Sequence, residues 1–229
     1  MTGNVESIPL DRRTPACSYA DPETETAAIS DKRLLSADDE AGLDATLQQI
    51  ADSQGYVSNL MQTLALAPRG LAAFAALSSY TRRGSALSER QRQIAILIAV
   101  RDVHYGWTHH APLARDAGVA DEQLERLREG RTPRDLSSSE RALCDYAFEI
   151  TSGRRVPPRV AEQMHAHFTP QQIVDIALLV AHSMSVAALA MGLDVPIETA
   201  DVLQFELDWA RNEATGQPPP SIVSTVPVV

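Results

Sequence analysis

The sequence has little cysteine, few aromatic residues and no cluster of basic residues. Its two cysteines, Cys17 and Cys144, lie far apart and in no metal-binding or redox spacing, which argues for a reducing compartment and against a disulfide framework. The formal net charge is −10, so nucleic acid and anionic membranes are poor candidates as partners. No signal-peptide core is seen near the N-terminus, and we therefore expect a cytoplasmic protein.

One apolar run, residues 173–193, is long enough to cross a membrane. Asp175, His182, Ser183 and Ser185 interrupt it, and ionisable groups are costly in hydrocarbon. We therefore predict a helix buried inside a bundle.

Helical spacing of apolar residues recurs along nearly the whole chain, and strand patterns are almost absent. Three capping boxes mark helix starts, at Ser88–Gln91, Ser137–Glu140 and Thr169–Gln172. We predict an all-α helical bundle with a single domain over residues 36–213. An N-terminal arm (residues 1–35) and a Pro-rich C-terminal arm (residues 214–229) are expected outside it.

The segment "HYGWTHHAPLARDAG", residues 104–118, carries three of the six histidines. Two metal ligands on one helix face need i, i+3 or i, i+4 spacing, and at about 100° per residue no two histidines of this segment share a face. We predict neither a metal site nor a cofactor here.

His110 is the candidate acid–base residue because its helix face otherwise carries small residues, Gly106, Ala114 and Ala117. Small neighbours leave room for a ligand, and histidine exchanges protons near neutral pH. The alternative is close helix packing around a hydrogen-bonded core histidine. His109 is on another face and is expected to be structural or at the surface.

Other polar residues have two interpretations each. His182 lies in the apolar run and is expected to be buried, so it needs a hydrogen-bond partner. It either faces the same cavity as His110 or bonds to the backbone. Arg101 could hold a substrate carboxylate or balance a helix C-terminus. Gln93 could face inward or be at the surface, and Tyr105 and Trp107 are more often packing residues than catalytic ones.

Several segments together resemble the carboxymuconolactone decarboxylase family, which shares a superfamily with the AhpD-like alkylhydroperoxidases. They are "YVSNLMQTLALAPRGLAAFAALSSYTRRGSALSERQRQIAIL", "YGWTHHAPLARDAGV", "SSERALCDYAFEIT" and "FTPQQIVDIALLV", within residues 55–197. The resemblance carries the family's histidine role to His110. It also implies an AhpD-like all-helical fold, a homo-oligomer (trimer or hexamer) and a pocket near the subunit interface.

Two glutamates that are usual in the family are replaced here, one by Gln93 and one by Gly106. The C-x-x-C pair of the peroxidases falls on Val103 and Gly106, which argues against thiol-dependent peroxide reduction.

The resemblance therefore predicts a cofactor-independent lyase or isomerase for a small ring or lactone carboxylic acid or ketone, with His110 as general acid/base. A non-catalytic oligomeric binding protein is the alternative, and an AhpD-like hydroperoxidase is a weaker one. The predicted substrate-binding residues are Gln93, Arg101, Tyr105, Gly106, Trp107 and His182.

Overall fold

The computed structural model describes residues 37–217, and it is all-α over that range, as the sequence predicts. The expectations for residues 1–35 and for the last twelve residues lie outside the described part. The helices are α1 (Ala37–Gln54), α2 (Asn59–Leu64), α3 (Pro68–Ser79), α4 (Glu89–Val100), α5 (His104–Asp116), α6 (Asp121–Arg128), α7 (Ser138–Thr151), α8 (Pro158–His167), α9 (Pro170–Gly192) and α10 (Ala200–Thr215). A π-helical turn, Tyr80–Gly84, extends α3.

The predicted helix starts are confirmed at atomic detail. At Ser88, Ser137 and Thr169 the side chain accepts a hydrogen bond from the backbone N–H three residues on, and the glutamine or glutamate there bonds back to the cap. Each such cap satisfies two backbone donors that the first helical turn would leave unpaired.

Helix α4 lies at the centre of the bundle and packs against α9, α5 and α7. Its apolar stretch, residues 94–100, is almost wholly buried, as expected for a segment that is apolar on every side. A smaller apolar cluster forms where α1 packs on α3, and it contains Leu43, Ile50, Met61 and Leu71.

Helix α9 has the length and apolar composition of a membrane span, and 44% of its most apolar window is buried inside the structure. Asp175, His182 and Ser183 are all buried in its inward face. Helix α9 packs against α4, α7 and α5, as a core helix of a bundle does.

Gly106 lets α5 approach α4 closely. A Cβ at this position would lie 2.7 Å from Cβ and 2.8 Å from Cγ1 of Val100. Real carbon atoms do not pack this tightly, so a larger residue here forces the two helices apart.

We therefore expect Gly106→Ala to lower the free energy of unfolding by about 1–3 kcal/mol, measured by urea denaturation. Gly42, in the exposed part of α1, has no atom within 4 Å of an added Cβ. Gly42→Ala is thus the matched control, and it should be stabilising because alanine favours the helix.

Val100→Ala removes Cγ1 and Cγ2. The double variant with Gly106→Ala should therefore lose less free energy of unfolding than the sum of the losses in the two single variants. Equal stability of Gly106→Ala and the wild type would contradict the steric account.

Candidate active site

A cavity of about 110 Å³ opens between α4, α5, α9, α10 and the π-turn. Its polar lining includes His110 and Tyr105 from α5, His182 from α9, Glu206 from α10 and Arg82 from the π-turn. The apolar lining comes mainly from six residues, Leu60, Met61, Ile96, Val100, Leu179 and Val186. A partly open, concave space where polar side chains converge beside apolar ones is typical of a small-molecule site.

His110 is oriented by a chain of hydrogen bonds on α4. Gln93 Nε2 donates to Glu89 Oε1 at 2.7 Å, which leaves Gln93 Oε1 to accept from His110 Nδ1 at 3.0 Å. The neutral imidazole therefore carries its proton on Nδ1. Its Nε2 has no partner in residues 37–217 and belongs to a ring that borders the cavity.

Burial lowers the pKa of His110 to about 4, helped by the positive charges of His109 and Arg82 and opposed by Glu206. The side chain keeps some accessible surface because it borders the cavity, although it lies deep beneath protein atoms. His110 is thus a neutral base at physiological pH.

His182 is a second neutral imidazole on the cavity wall. Burial and, to a smaller extent, the charge of Arg82 lower its pKa to about 4. Its ring packs on Phe74 with the centroids 4.7 Å apart. Nδ1 has almost no accessible surface and no hydrogen-bond partner among the described residues, so any contact with a bound molecule is made by the rest of the ring.

His109 forms a buried bridge between two carboxylates. Its Nε2 lies 2.6 Å from Glu198 Oε2, and its Nδ1 lies 2.6 Å from Glu206 Oε2. Tyr105 donates from its hydroxyl to Glu198 Oε1 at 2.8 Å, and the backbone N–H of Asn59 donates to the same oxygen. Burial by itself lowers the pKa of His109, but the hydrogen bonds and charges of the two glutamates outweigh it and raise the value to about 9. His109 is therefore a structural cation.

The structure brings four of the seven sequence-predicted residues to the cavity lining, His110, Tyr105, Gly106 and His182. Gln93 is buried behind His110 and contacts it directly. The other two, Arg101 and Trp107, are not part of the lining.

Arg101 and Trp107 make contacts of their own elsewhere. Arg101 donates to the carbonyl of Ile98 at the end of α4 and lies over the Phe148 ring. This is the helix C-terminal role that the sequence also allowed for Arg101. Trp107 is half-buried, and Arg128 stacks on it at 5.1 Å.

Three charged lining residues, Arg82, Arg92 and Glu206, are missing from the residues predicted from the sequence. Glu206 lies one turn after Val202 and three residues before Trp209, so it shares a helix face with these apolar residues. A carboxylate on an apolar face is a usable signal of a buried role. Arg82 carries no such signal, because its position depends on the π-turn.

Within residues 37–217, no group of three histidine, cysteine, aspartate or glutamate side chains is arranged to hold a metal ion. Cys144 is fully buried, burial raises the pKa of its thiol, and it does not line the cavity.

The bridge predicts a specific pH dependence of stability. His109 has a folded pKa of about 9 against an ordinary value of 6.5, so its contribution is complete below pH 6.5 and is lost as the pH rises through 9. We expect the free energy of unfolding to fall by about 3 kcal/mol across that window, measured by urea denaturation. His109→Gln should abolish the slope. His104→Gln, which replaces an exposed histidine on the same helix, should retain it, and a slope that survives in His109→Gln would refute the assignment.

The Gln93 contact makes a second prediction. A carboxylate in place of the amide favours the imidazolium, so Gln93→Glu should raise the pKa of His110 above its present value of about 4. Titration of the His110 ring by NMR measures this. Gln91→Glu is the matched control, since glutamate keeps the cap at Ser88, and it should leave the His110 titration unchanged. An unchanged titration in Gln93→Glu would show that residue 93 does not control His110.

Searches of protein-family models and of curated proteins find no match to this chain. Solved structures do match. The debrominase Bmp8 superposes with a TM-score of 0.59 at 18% identity, covering 76% of this chain and 95% of Bmp8. An uncharacterised peroxidase-related protein with an alkylhydroperoxidase AhpD core, from Ralstonia eutropha JMP134, gives 0.58 at 19% identity, covering 72% and 88%. A peroxidase-related protein from Silicibacter sp. TM1040 gives 0.58 at 19% identity, covering 68% and 84%. The resemblance predicted from the sequence is thus confirmed at the level of fold: this chain has the AhpD-like helical fold.

Proposed function

We propose that this protein is a cofactor-independent lyase or isomerase that acts on a small ring or lactone carboxylic acid or ketone. The observation that carries the proposal is the hydrogen bond from His110 to Gln93, which fixes the proton on Nδ1 and leaves Nε2 open to the cavity. A base held in one tautomer at the wall of an apolar cavity is suited to proton transfer.

Proton removal is the step that the site supports best. His110 Nε2 takes a proton from a carbon next to a carbonyl, so a C–H bond breaks, an N–H bond forms and the electron pair moves to the carbonyl oxygen. The same proton returns to a different carbon, which restores neutral His110 and completes an isomerisation. The low pKa of His110 restricts the reaction to carbon acids that a carbonyl or lactone activates strongly.

His182 can stabilise the enolate oxygen. It lines the same cavity from α9, and it is neutral. A neutral imidazole can donate one N–H to a developing oxyanion, and such a donor is worth most where water is excluded. His110 and His182 thus divide the roles of base and oxyanion donor.

The relatives agree with a small ring as ligand. A variant of Bmp8 has been solved in complex with 2,3,4-tribromopyrrole, so a protein of this fold binds a compound of that size. Peroxide reduction has less support, because neither position of the C-x-x-C pair holds cysteine and Cys144 lies away from the cavity. A non-catalytic binding protein is the second candidate, favoured by Gln93 and Gly106 at the two positions where the family has glutamates.

We also propose a cytoplasmic homo-oligomer, a trimer or hexamer. The outward face of α9 supports association, because Val174 (57% exposed) and Leu178 (37% exposed) lie one turn apart on it. Exposed apolar residues at helical spacing on one face provide a surface that a second copy can cover.

The test is a thermal-shift screen of small lactone acids, aromatic acids and β-keto acids, followed by NMR and mass spectrometry of each hit for rearrangement, deuterium uptake from D₂O or loss of CO₂. We expect conversion by the wild type and a loss of about 10²–10⁴-fold in His110→Ala, as for other general acid–base residues. His104→Ala, at an exposed position on the same helix, is the control and should keep full activity.

The pH profile checks the role of His110 separately. A base with a pKa of about 4 is unprotonated above that value, so kcat/KM should be flat at neutral pH and fall as the pH drops through about 4. Ligands that bind both proteins equally and remain unaltered would favour the binding protein instead.

A further inference from the structure

The π-turn is fixed from three sides. Tyr80 donates to Asp175 Oδ1 on α9 at 2.6 Å, and Arg83 pairs with Glu213 on α10 at 2.9 Å. From α4, Arg92 donates through Nη1 to the carbonyl of Arg82. These contacts hold the backbone of Arg82 in place. Short π-helical segments of this kind are frequent at functional sites.

The side chain of Arg82 has no hydrogen bond or ion pair within residues 37–217, although it is half-buried and lines the cavity. Its charge acts on the groups around it and lowers the pKa of both His110 and His182. Glu206, the carboxylate on the same lining, has its Oε2 bonded to His109. Arg82 is therefore a cation inside the site whose charge no neighbouring carboxylate pairs with directly.

The neighbouring arginines have partners of their own. Arg83 is bonded to Glu213. Arg92 also lines the cavity, but its two terminal nitrogens donate to the carbonyls of Arg82 and Leu87, and its Nε lies 3.4 Å from Glu89 Oε2. Arg101, the anchor predicted from the sequence, bonds to Ile98 and Thr151 outside the cavity. Among these arginines, only Arg82 has a cavity-lining guanidinium without any hydrogen bond in the described residues.

We propose that Arg82 binds the carboxylate of an anionic substrate in this cavity and so selects carboxylic acids over neutral ketones. The inference rests on the proposed function and narrows its substrate class. A guanidinium donates two parallel hydrogen bonds to one carboxylate, which fixes both the position and the orientation of the molecule.

A monoanionic carboxylate fits better than a phosphate. The lining also carries a carboxylate, Glu206, and the two neutral imidazoles of His110 and His182. A phosphate group carries a charge of about −1.5 to −2 at neutral pH, so Glu206 repels it more strongly than a singly charged carboxylate. A bound carboxylate would also offset the charge of Arg82 and so strengthen His110 as a base.

The experiment compares benzoate with its neutral amide, benzamide, as probes of the full-length protein. Binding is followed by the NMR shifts of the His110 and His182 rings. In the wild type we expect benzoate, and not benzamide, to shift the NMR signals of both rings. Arg82→Met should weaken benzoate binding by about 10- to 100-fold. Arg82→Lys should bind with an intermediate affinity, because it keeps the charge and loses the two-pronged geometry.

Arg159→Met is the matched control, because it removes an exposed positive charge on α8, away from the cavity lining and the π-turn. It should leave benzoate binding unchanged. Without any ligand, Arg82→Met should also raise the pKa of both histidines, a change that a purely structural arginine would not cause. A thermal melt of each variant checks that it is folded.

Three results would overturn the inference. They are equal binding of benzoate and benzamide by the wild type, absence of benzoate binding, and loss of binding in Arg101→Met but not in Arg82→Met. The proposed function fails differently. If benzoate binds through Arg82 and no compound in the screen is converted, the carboxylate-binding role of Arg82 is supported and the proposed catalysis is not. If His110-dependent conversion is found and Arg82→Met leaves it unchanged, the proposed catalysis is supported and the role of Arg82 is not.

Discussion

The charged bridge at His109 holds the cavity together. It joins α5 to Glu198, in the segment before α10, and to Glu206 on α10 itself. Helix α10 has no fully buried residue, so apolar packing alone anchors it weakly. With His109 protonated, each of its two N–H groups donates to one carboxylate, and its single positive charge is shared between them. The same bridge keeps Glu206 on the cavity wall and places a fixed positive charge next to His110, which helps to keep His110 neutral.

Local sequence patterns predicted most of the fold because their causes are local. A capping box needs only two residues three positions apart, as at Ser137 and Glu140, and a stretch that is apolar on every side, such as residues 94–100, is buried in any packing of the helix. Helical geometry also separated His109 from His110. Adjacent residues point about 100° apart, and the structure gives the two rings different partners, carboxylates for one and Gln93 for the other.

The cavity lining was harder to predict because it depends on contacts between distant segments. Arg101 was chosen as the anchor for its place beside the buried stretch of α4, but its side chain turns to the C-terminus of that helix. Arg82 lies at the site because it belongs to the π-turn, and no sequence pattern predicts that turn. Glu206 comes from the last helix, 96 positions after His110. Only its position on an otherwise apolar face could have revealed it.

Polar groups around the cavity destabilise the fold, which indicates that the cavity binds a ligand. A buried imidazole with an unpartnered nitrogen, as at His182, and a half-buried arginine without a carboxylate, as at Arg82, both destabilise a helical core. Leucine or methionine at these positions would pack the same space more favourably. Polar groups remain around the cavity, because Gln93 orients His110 and Glu206 supplies a carboxylate from another helix. Groups that destabilise the fold and converge on one small space are best explained by a ligand that satisfies them.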